Sequence, residues 1–471
     1  MNAAAPPIRP KLLHLLRRAV GEFLGVPLAV VLGFLGLAAA AYGLDDAGWA
    51  DGRHPDGFGW LGRLLGDAGA LSSLLATVAS SIITVTSITF SLLLLAVQQG
   101  AAALTSQVFD QFLRRRSNQL YFGFFVGLSV YVLATLVTAS PLHRPVFGTL
   151  MAVLLTAAAL CMVVLLIYST IDQMRPAEIV KAIHDHTLRA REAQMPLLRA
   201  TRRAPRSDLP LARTVLAEES GVVSAIDAEA LGETLGAPAA AVEVEILVGI
   251  GAYVAYRDPL VRIRSDRELD GAALAQVSRA AVRAIDLDEG RDLGGDPAFG
   301  IEQLSTIGWT TVSTAHSNPQ PGILACRSLR DILSRWGAEW PPPENPRSPI
   351  VYPDRVTEGA VAALESLGVV ASESLQHQTL AEITRTLAIL LVGLPRGLQA
   401  RVEGVALRLL SALGEHVLTC DLEEALRQLE GALRQAGFGA SAEAVRCATA
   451  ELGQSVGHLN SRSTRVPRIG R

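Results

Sequence analysis

Four stretches of the chain carry no charged side chain: Leu24 to Leu44, Ala68 to Phe109, Ser117 to Leu142 and Val146 to Ile171. At ~1.5 Å of helix per residue, each is long enough to cross the ~30 Å hydrocarbon layer of a bilayer. The pattern predicts membrane-spanning helices at about 24–44, 71–97, 120–139 and 147–170. The second run exceeds what one crossing needs, so its helix is expected to continue past the bilayer. The first run is longer than the apolar core of a cleaved signal peptide, so it reads as a span. Only Pro141-Leu-His-Arg-Pro145 separates the third run from the fourth, which suits a tight helical hairpin.

After the fourth run the periodicity changes. Residues 172–219 read as a basic connector, helical to about Arg206. Ser220 to Ile226 reads as a short strand. In Val242-Glu-Val-Glu-Ile-Leu-Val248 apolar residues alternate with Glu243, Glu245 and Leu247, the period of a strand with one buried face. Val261-Arg-Ile-Arg264 alternates again, so residues 220–265 are expected to form a small β-sheet or barrel. Helices resume at about Gly271 and fill 266–340. The prolines of WPPPENPRSPIVYP make 341–356 an extended linker. Residues 357–456 are helical, and the polar, basic stretch 457–471 reads as a disordered tail. The fold class is an α-helical polytopic membrane domain of four transmembrane helices followed by an α+β cytoplasmic domain.

Composition agrees with a large apolar portion, since half of the residues are hydrophobic and mean hydropathy is +0.32. A net charge of −3 gives no basic surplus for nucleic acid. Positive residues are retained on the cytoplasmic side. Arg9, Lys11, Arg17 and Arg18 with the N-terminal segment 1–23, then Arg114, Arg115 and Arg116, then Arg175, Lys181, Arg189 and Arg191 therefore mark three cytoplasmic segments. The loop after the first span is acidic, with Asp45, Asp46, Asp51, Asp56 and Asp67 against Arg53 and Arg63. Both termini are expected in the cytoplasm of a bacterial cell, with the spans in its inner membrane. The four cysteines are too scattered for a metal pair or a disulfide framework. Lys11 and Lys181 are the only lysines, so no residue after 181 can serve as a phosphate-loop, Schiff-base or biotinyl lysine.

The most informative polar pattern lies inside the second span. Ser73, Thr77, Ser80, Thr84, Ser87 and Ser91 alternate spacings of four and three residues, which places them on one stripe of a helix. Small hydroxyl residues let helices approach closely, so packing is one reading. The other is a hydrated path on an oligomer axis, with rings of Gln98 and Gln99 at its end. Lipid would not satisfy such a face, so self-association is expected. Gly123 and Gly127 form a GxxxG pair on the third span, suited to close packing within the chain. Arg114, Arg115 and Arg116 sit at the membrane interface, where topology already accounts for them.

Catalytic chemistry is sparse. No GxSxG, HExxH or glycine-rich phosphate loop occurs, and an enzyme is not expected. His184 and His186 are two residues apart and cannot share a metal from one helix face. Asp286, Asp288, Glu289 and Asp292 resemble a calcium loop in charge alone, because Pro297 stands where the bidentate glutamate belongs, and they read as a solvated loop. No metal or cofactor is expected. The pattern of Gly251, Val254, Pro259 and Leu260 resembles the barrel of biotinyl and lipoyl carrier domains, without a lysine to modify.

Two regions carry a wider resemblance. The second span and its extension, SSLLATVASSIITVTSITFSLLLLAVQQGAAALTSQVFDQFLRRRSNQLYFGFFVG, resemble the signature region of the DUF2254 family of bacterial membrane proteins. Asp296-Pro-Ala-Phe-Gly300, Gln303-Leu304, His316-Ser-Asn-Pro319 and Gly251 to Leu260 resemble its cytoplasmic motif, with Ser317-Asn318 where the family has Asn-Asp. The resemblance implies architecture more than activity. Asp296, Trp309, His316 and Asn318 in this segment are the candidate lining of a small-ligand pocket; as alternatives, Asp296-Pro297 suits a helix cap and Asn318-Pro319 a turn. The functional readings are a channel or transport-like oligomer with a cytoplasmic regulatory domain, and a non-conducting membrane scaffold or sensor.

Overall fold

A computed structural model of the chain describes residues 24–47, 68–103, 116–140, 143–173, 175–206, 208–236, 242–291, 294–313, 318–413 and 416–455. The expected N-terminal segment 1–23 and the tail 457–471 lie outside them. The chain divides into two compact units, residues 1–175 and 176–471, each described by itself.

The first unit contains α1 (Gly25–Asp46), α2 (Ala68–Ala103), α3 (Arg116–Thr138) and α4 (Val146–Gln173). All four are long and apolar enough to cross a membrane. With 36 residues, α2 extends ~54 Å, well beyond a ~30 Å hydrocarbon layer. Phe34, Leu75, Ile82, Phe125, Leu128, Tyr131 and Leu166 form the buried core. Leu32, Val137, Val164 and Tyr168 point outward and are exposed. A helix apolar on every side is what lipid contact demands.

The second unit runs α5 (Pro176–Ala200), β1 (Leu211–Leu216), β2 (Gly221–Ile226), α6 (Ala228–Leu235), β3 (Val242–Ile246), β4 (Tyr253–Val254), β5 (Pro259–Ser265), α7 (Gly271–Arg283), β6 (Ile285–Asp288), α8 (Pro297–Val312), α9 (Pro319–Ala338), β7 (Ile350–Val351), α10 (Val356–Glu373), α11 (His377–Gly393), α12 (Arg396–Leu410), α13 (Cys420–Gln435) and α14 (Gly439–Ser455). The strands form two small sheets, of order β1-β5-β3-β7 and β4-β2-β6. Every pairing is antiparallel except that of β3 with β7. Val244 lies opposite Ile263 on one side and Ile350 on the other, and these join Ile246 and Val261 in the core beneath the sheet.

Several expectations change here, each for a local reason. The connector helix stops at Ala200 rather than near Arg206, because the chain turns to run beside β7, with the Arg202 N–H donating to the carbonyl of Ile350 at 2.8 Å. The proline-rich stretch 341–356 is extended as expected, but it also supplies β7. That extra strand makes β3 interior, so Glu243, expected on the open face, is buried and salt-bridged to Arg202. Glu245 does sit at the surface side and pairs across the strands with Arg262 at 3.1 Å and Arg264 at 3.2 Å. Asp286 and Asp288, read as a loop, are exposed yet paired through their backbone to β2.

Candidate functional site

On α2, two faces of different character run from Leu71 to Leu93. Leu71, Leu75, Ala79, Ile82 and Leu93 are buried. On the far side Ser73, Thr77, Ser80, Thr84, Ser87 and Ser91 are all exposed, as is Gln98. The stripe therefore packs against none of the unit's own described helices. Thr77, Thr84 and Ser91 donate to the carbonyls of Ser73, Ser80 and Ser87 one turn earlier, at 2.9, 2.8 and 2.9 Å. The hydroxyls of Ser73, Ser80 and Ser87 make no such bond and point outward.

Gly123 and Gly127 serve the contact of α3 with α1. A β-carbon at 123 would come within 2.9 Å of Pro27 and Val30, and one at 127 would strike the ring of Phe34. Only glycine permits this approach. Arg116 is exposed at the start of α3, while Arg114 and Arg115 lie outside the described residues.

The same unit holds a device that the charge count did not reveal. Asp45, read as a loop acid, lies in the last turn of α1 and is buried. Its carboxylate accepts from the N–H groups of Phe147 at 2.7 Å and Gly148 at 3.0 Å, at the start of α4. Helix N-termini need such acceptors, and the residues just before α4, Arg144 and Pro145, have none to offer. That local lack is the sequence signal for a cap from elsewhere. Tyr131 donates to the Gly148 carbonyl at 3.0 Å, and the rings of Tyr42 and His143 lie 4.3 Å apart.

In the second unit the structure does not gather the proposed pocket residues. Asp296 is the N-cap of α8, accepting from the Phe299 N–H at 3.0 Å, with Pro297 in the first turn. Asn318 is the N-cap of α9, and Trp309, 51% exposed, lies near the far end of α8. The 16 residues of α8 separate the two caps by ~24 Å. His316 lies outside the described residues. Burial raises the Asp296 carboxyl above the usual carboxylate range, and the Arg291 salt bridge at 2.8 Å offsets only part of this. Gly251, at φ +84°, packs directly against the same carboxylate.

A serine, a histidine and an aspartate do meet in this unit. His184 on α5 lies with Nδ1 2.9 Å from Ser328 Oγ and Nε2 3.2 Å from Asp331. Ser328 and Asp331 are one turn apart in the middle of α9, where backbone N–H groups are spent on helix bonds and none is left beside the serine to hold an oxyanion. The cluster ties α5 to α9. A second polar network does similar work: Arg191 pairs bidentately with buried Asp354 at 2.9 and 2.6 Å, and Gln194 bridges Arg191 to the Tyr352 hydroxyl. Cys326 is buried beside Thr386 and its thiol is pushed up to about 12, which leaves it unreactive. Among the described residues no group of three or more metal-ligating side chains occurs.

Four helices long and apolar enough to cross a membrane, one of them with a polar face, followed in the sequence by an α+β unit, define an integral membrane protein with a sizeable second folded unit. The chain belongs to the DUF2254 family, described as predicted membrane protein, whose family model matches residues 21–361. No curated protein and no solved structure matches it.

Proposed function

We propose that this chain is a homo-oligomeric, channel or transport-like protein of the bacterial inner membrane, with four crossings, both termini cytoplasmic, and the second unit acting as a regulatory domain rather than an enzyme. The observation that carries the reading is the exposure of the hydroxyl stripe. Ser73, Ser80 and Ser87 face away from the other described helices of their unit, and bare lipid satisfies hydroxyls poorly. A second copy of α2, or water on an axis between copies, satisfies them. The back-bonding of Thr77, Thr84 and Ser91 favours the second reading, a dry packed interface in a non-conducting scaffold or sensor, because those hydroxyls need no water.

Cysteine substitution separates the two. In a background without the native cysteines, residues 80, 84 and 87 are replaced singly by cysteine and treated with a water-soluble thiol reagent, and conductance is recorded in planar bilayers. A hydrated path gives labelling that blocks a measurable current. Absence of both labelling and current overturns the channel reading, and a monomer by mass photometry overturns the assembly itself.

A further inference from the structure

Beside the outer strand of the larger sheet, the second unit holds a cavity of about 210 Å³. Strand pairing builds its floor. Leu211 of β1 stands opposite Ser265 of β5 and Arg213 opposite Ile263, and side chains directly opposite in an antiparallel pair share a face. The alternate pairs, Ala212 with Arg264 and Thr214 with Arg262, turn to the other face, where Glu245 holds both arginines. The turn after β5 then brings Glu268 and Leu269 to the cavity, and α7, capped by Asp270, brings Leu274. Ile263 and Ser265 are buried, whereas Arg213 and Glu268 are exposed. Among the described residues, the side chains of Arg213, Ser265 and Glu268 have no hydrogen-bond or ion-pair partner, while Arg202, Arg203, Arg262 and Arg264 of the same unit each hold a carboxylate. A guanidinium and a carboxylate that line one cavity without joining each other leave room for a ligand that carries both charges.

We infer that this cavity binds an aliphatic α-amino acid in its zwitterionic form. The ligand carboxylate accepts from the N–H fork of Arg213, its ammonium donates to Glu268, and the Ser265 hydroxyl can donate to the one or accept from the other. The aliphatic side chain rests against Ile263, Leu269 and Leu274. A volume below the ~300 Å³ at which drug-sized pockets begin suits a single amino acid rather than a peptide. Glu268 repels a simple carboxylic acid and Arg213 repels a simple alkylamine, so a molecule with one charge satisfies only half of the site. The inference stands on the second unit alone and holds whether or not the first unit conducts.

The test uses the full-length protein in detergent, with L-leucine as probe. Isocaproate, which lacks the ammonium, isoamylamine, which lacks the carboxylate, and glycine, which lacks the side chain, are its counterparts. Titration calorimetry is expected to show saturable leucine binding, with isocaproate and isoamylamine each at least ~tenfold weaker, as loss of a hydrogen bond to a charged group implies. Glycine should be weaker by about the same factor, since it buries no side chain. Arg213→Gln and Glu268→Gln should each weaken leucine by about tenfold or more. Both residues are exposed, so the variants should fold normally, which circular dichroism and gel filtration check. Glu268→Gln also removes the charge that repels isocaproate and should narrow the gap between that acid and leucine. No saturable leucine binding, equal affinity for leucine and isocaproate, unchanged leucine affinity in either variant, or an undiminished gap in Glu268→Gln overturns the inference.

Discussion

Gly251 rests against the carboxylate of Asp296 so closely that a β-carbon at position 251 would overlap one of its oxygens. Two segments far apart in the sequence, Gly251 to Leu260 and Asp296 to Gly300, thereby meet at one node that holds the start of α8. Gly251→Ala would combine a strained positive φ with displacement of the cap, and a loss of about 2–4 kcal/mol is expected. Chemical denaturation of the solubilised full chain measures it. Gly359→Ala, where a β-carbon meets nothing within 4 Å, should leave stability unchanged or slightly raised.

Acid should weaken the helical part of the second unit through Glu382. Burial alone would raise this carboxyl, but Arg327 at 2.8 Å, with Arg385 and Arg330, reverses the sign and holds it below the usual range. The folded state thus binds this proton less readily than the unfolded chain. The stability it contributes is fully present above the ordinary carboxylate value and is lost as pH falls through the lowered one. Glu382→Gln should cost about 2–3 kcal/mol at pH 7. Denaturation profiles of the two proteins are expected to converge as the pH is taken down through that window.

Between α1 and α3 the fit is steric, and so it can be repaired. Gly127→Ala should destabilise the first unit by about 1–3 kcal/mol by driving a methyl group into Phe34. In a Phe34→Leu background the same change should cost distinctly less. A double-mutant cycle on thermal unfolding in detergent reads the coupling, and additive effects would show that the two residues do not act on each other.

Asp354→Asn leaves the Arg191 guanidinium buried without its counter-charge, beneath the ring of Trp336 at 5.4 Å. A loss of about 3–5 kcal/mol is expected. Limited proteolysis should then cut within 341–356, whose β7 strand lies just ahead of Asp354, well before it cuts the wild type.

What the sequence made legible follows from the solvent each segment meets. Charge-free runs in lipid are unambiguous, so α1 to α4 were readable nearly to their ends, and the alternation in β3 and β5 marked the main sheet. β1 was hidden because Leu211-Ala-Arg-Thr-Val-Leu216 is largely exposed and carries no alternation. β6 was hidden because Asp286 and Asp288 face water while only their backbone is paired. The burial of Glu243 depended on β7, which comes from more than a hundred residues away, and the role of Asp45 depended on the start of α4. The hydroxyl stripe was visible as a period, whereas its outward direction needed the neighbouring helices.

That stripe also fixes a handedness. Ser73, Ser80 and Ser87 recur every seven residues, and Thr77, Thr84 and Ser91 each follow one of them by four, so the seam repeats every 3.5 residues while an α-helix turns every ~3.6. On a straight helix the seam drifts by ~20° per heptad, and a partner helix can stay on it only by winding. The winding is left-handed, with a crossing angle near +20°. Copies of α2 joined along this face would form a shallow left-handed coil rather than a parallel palisade.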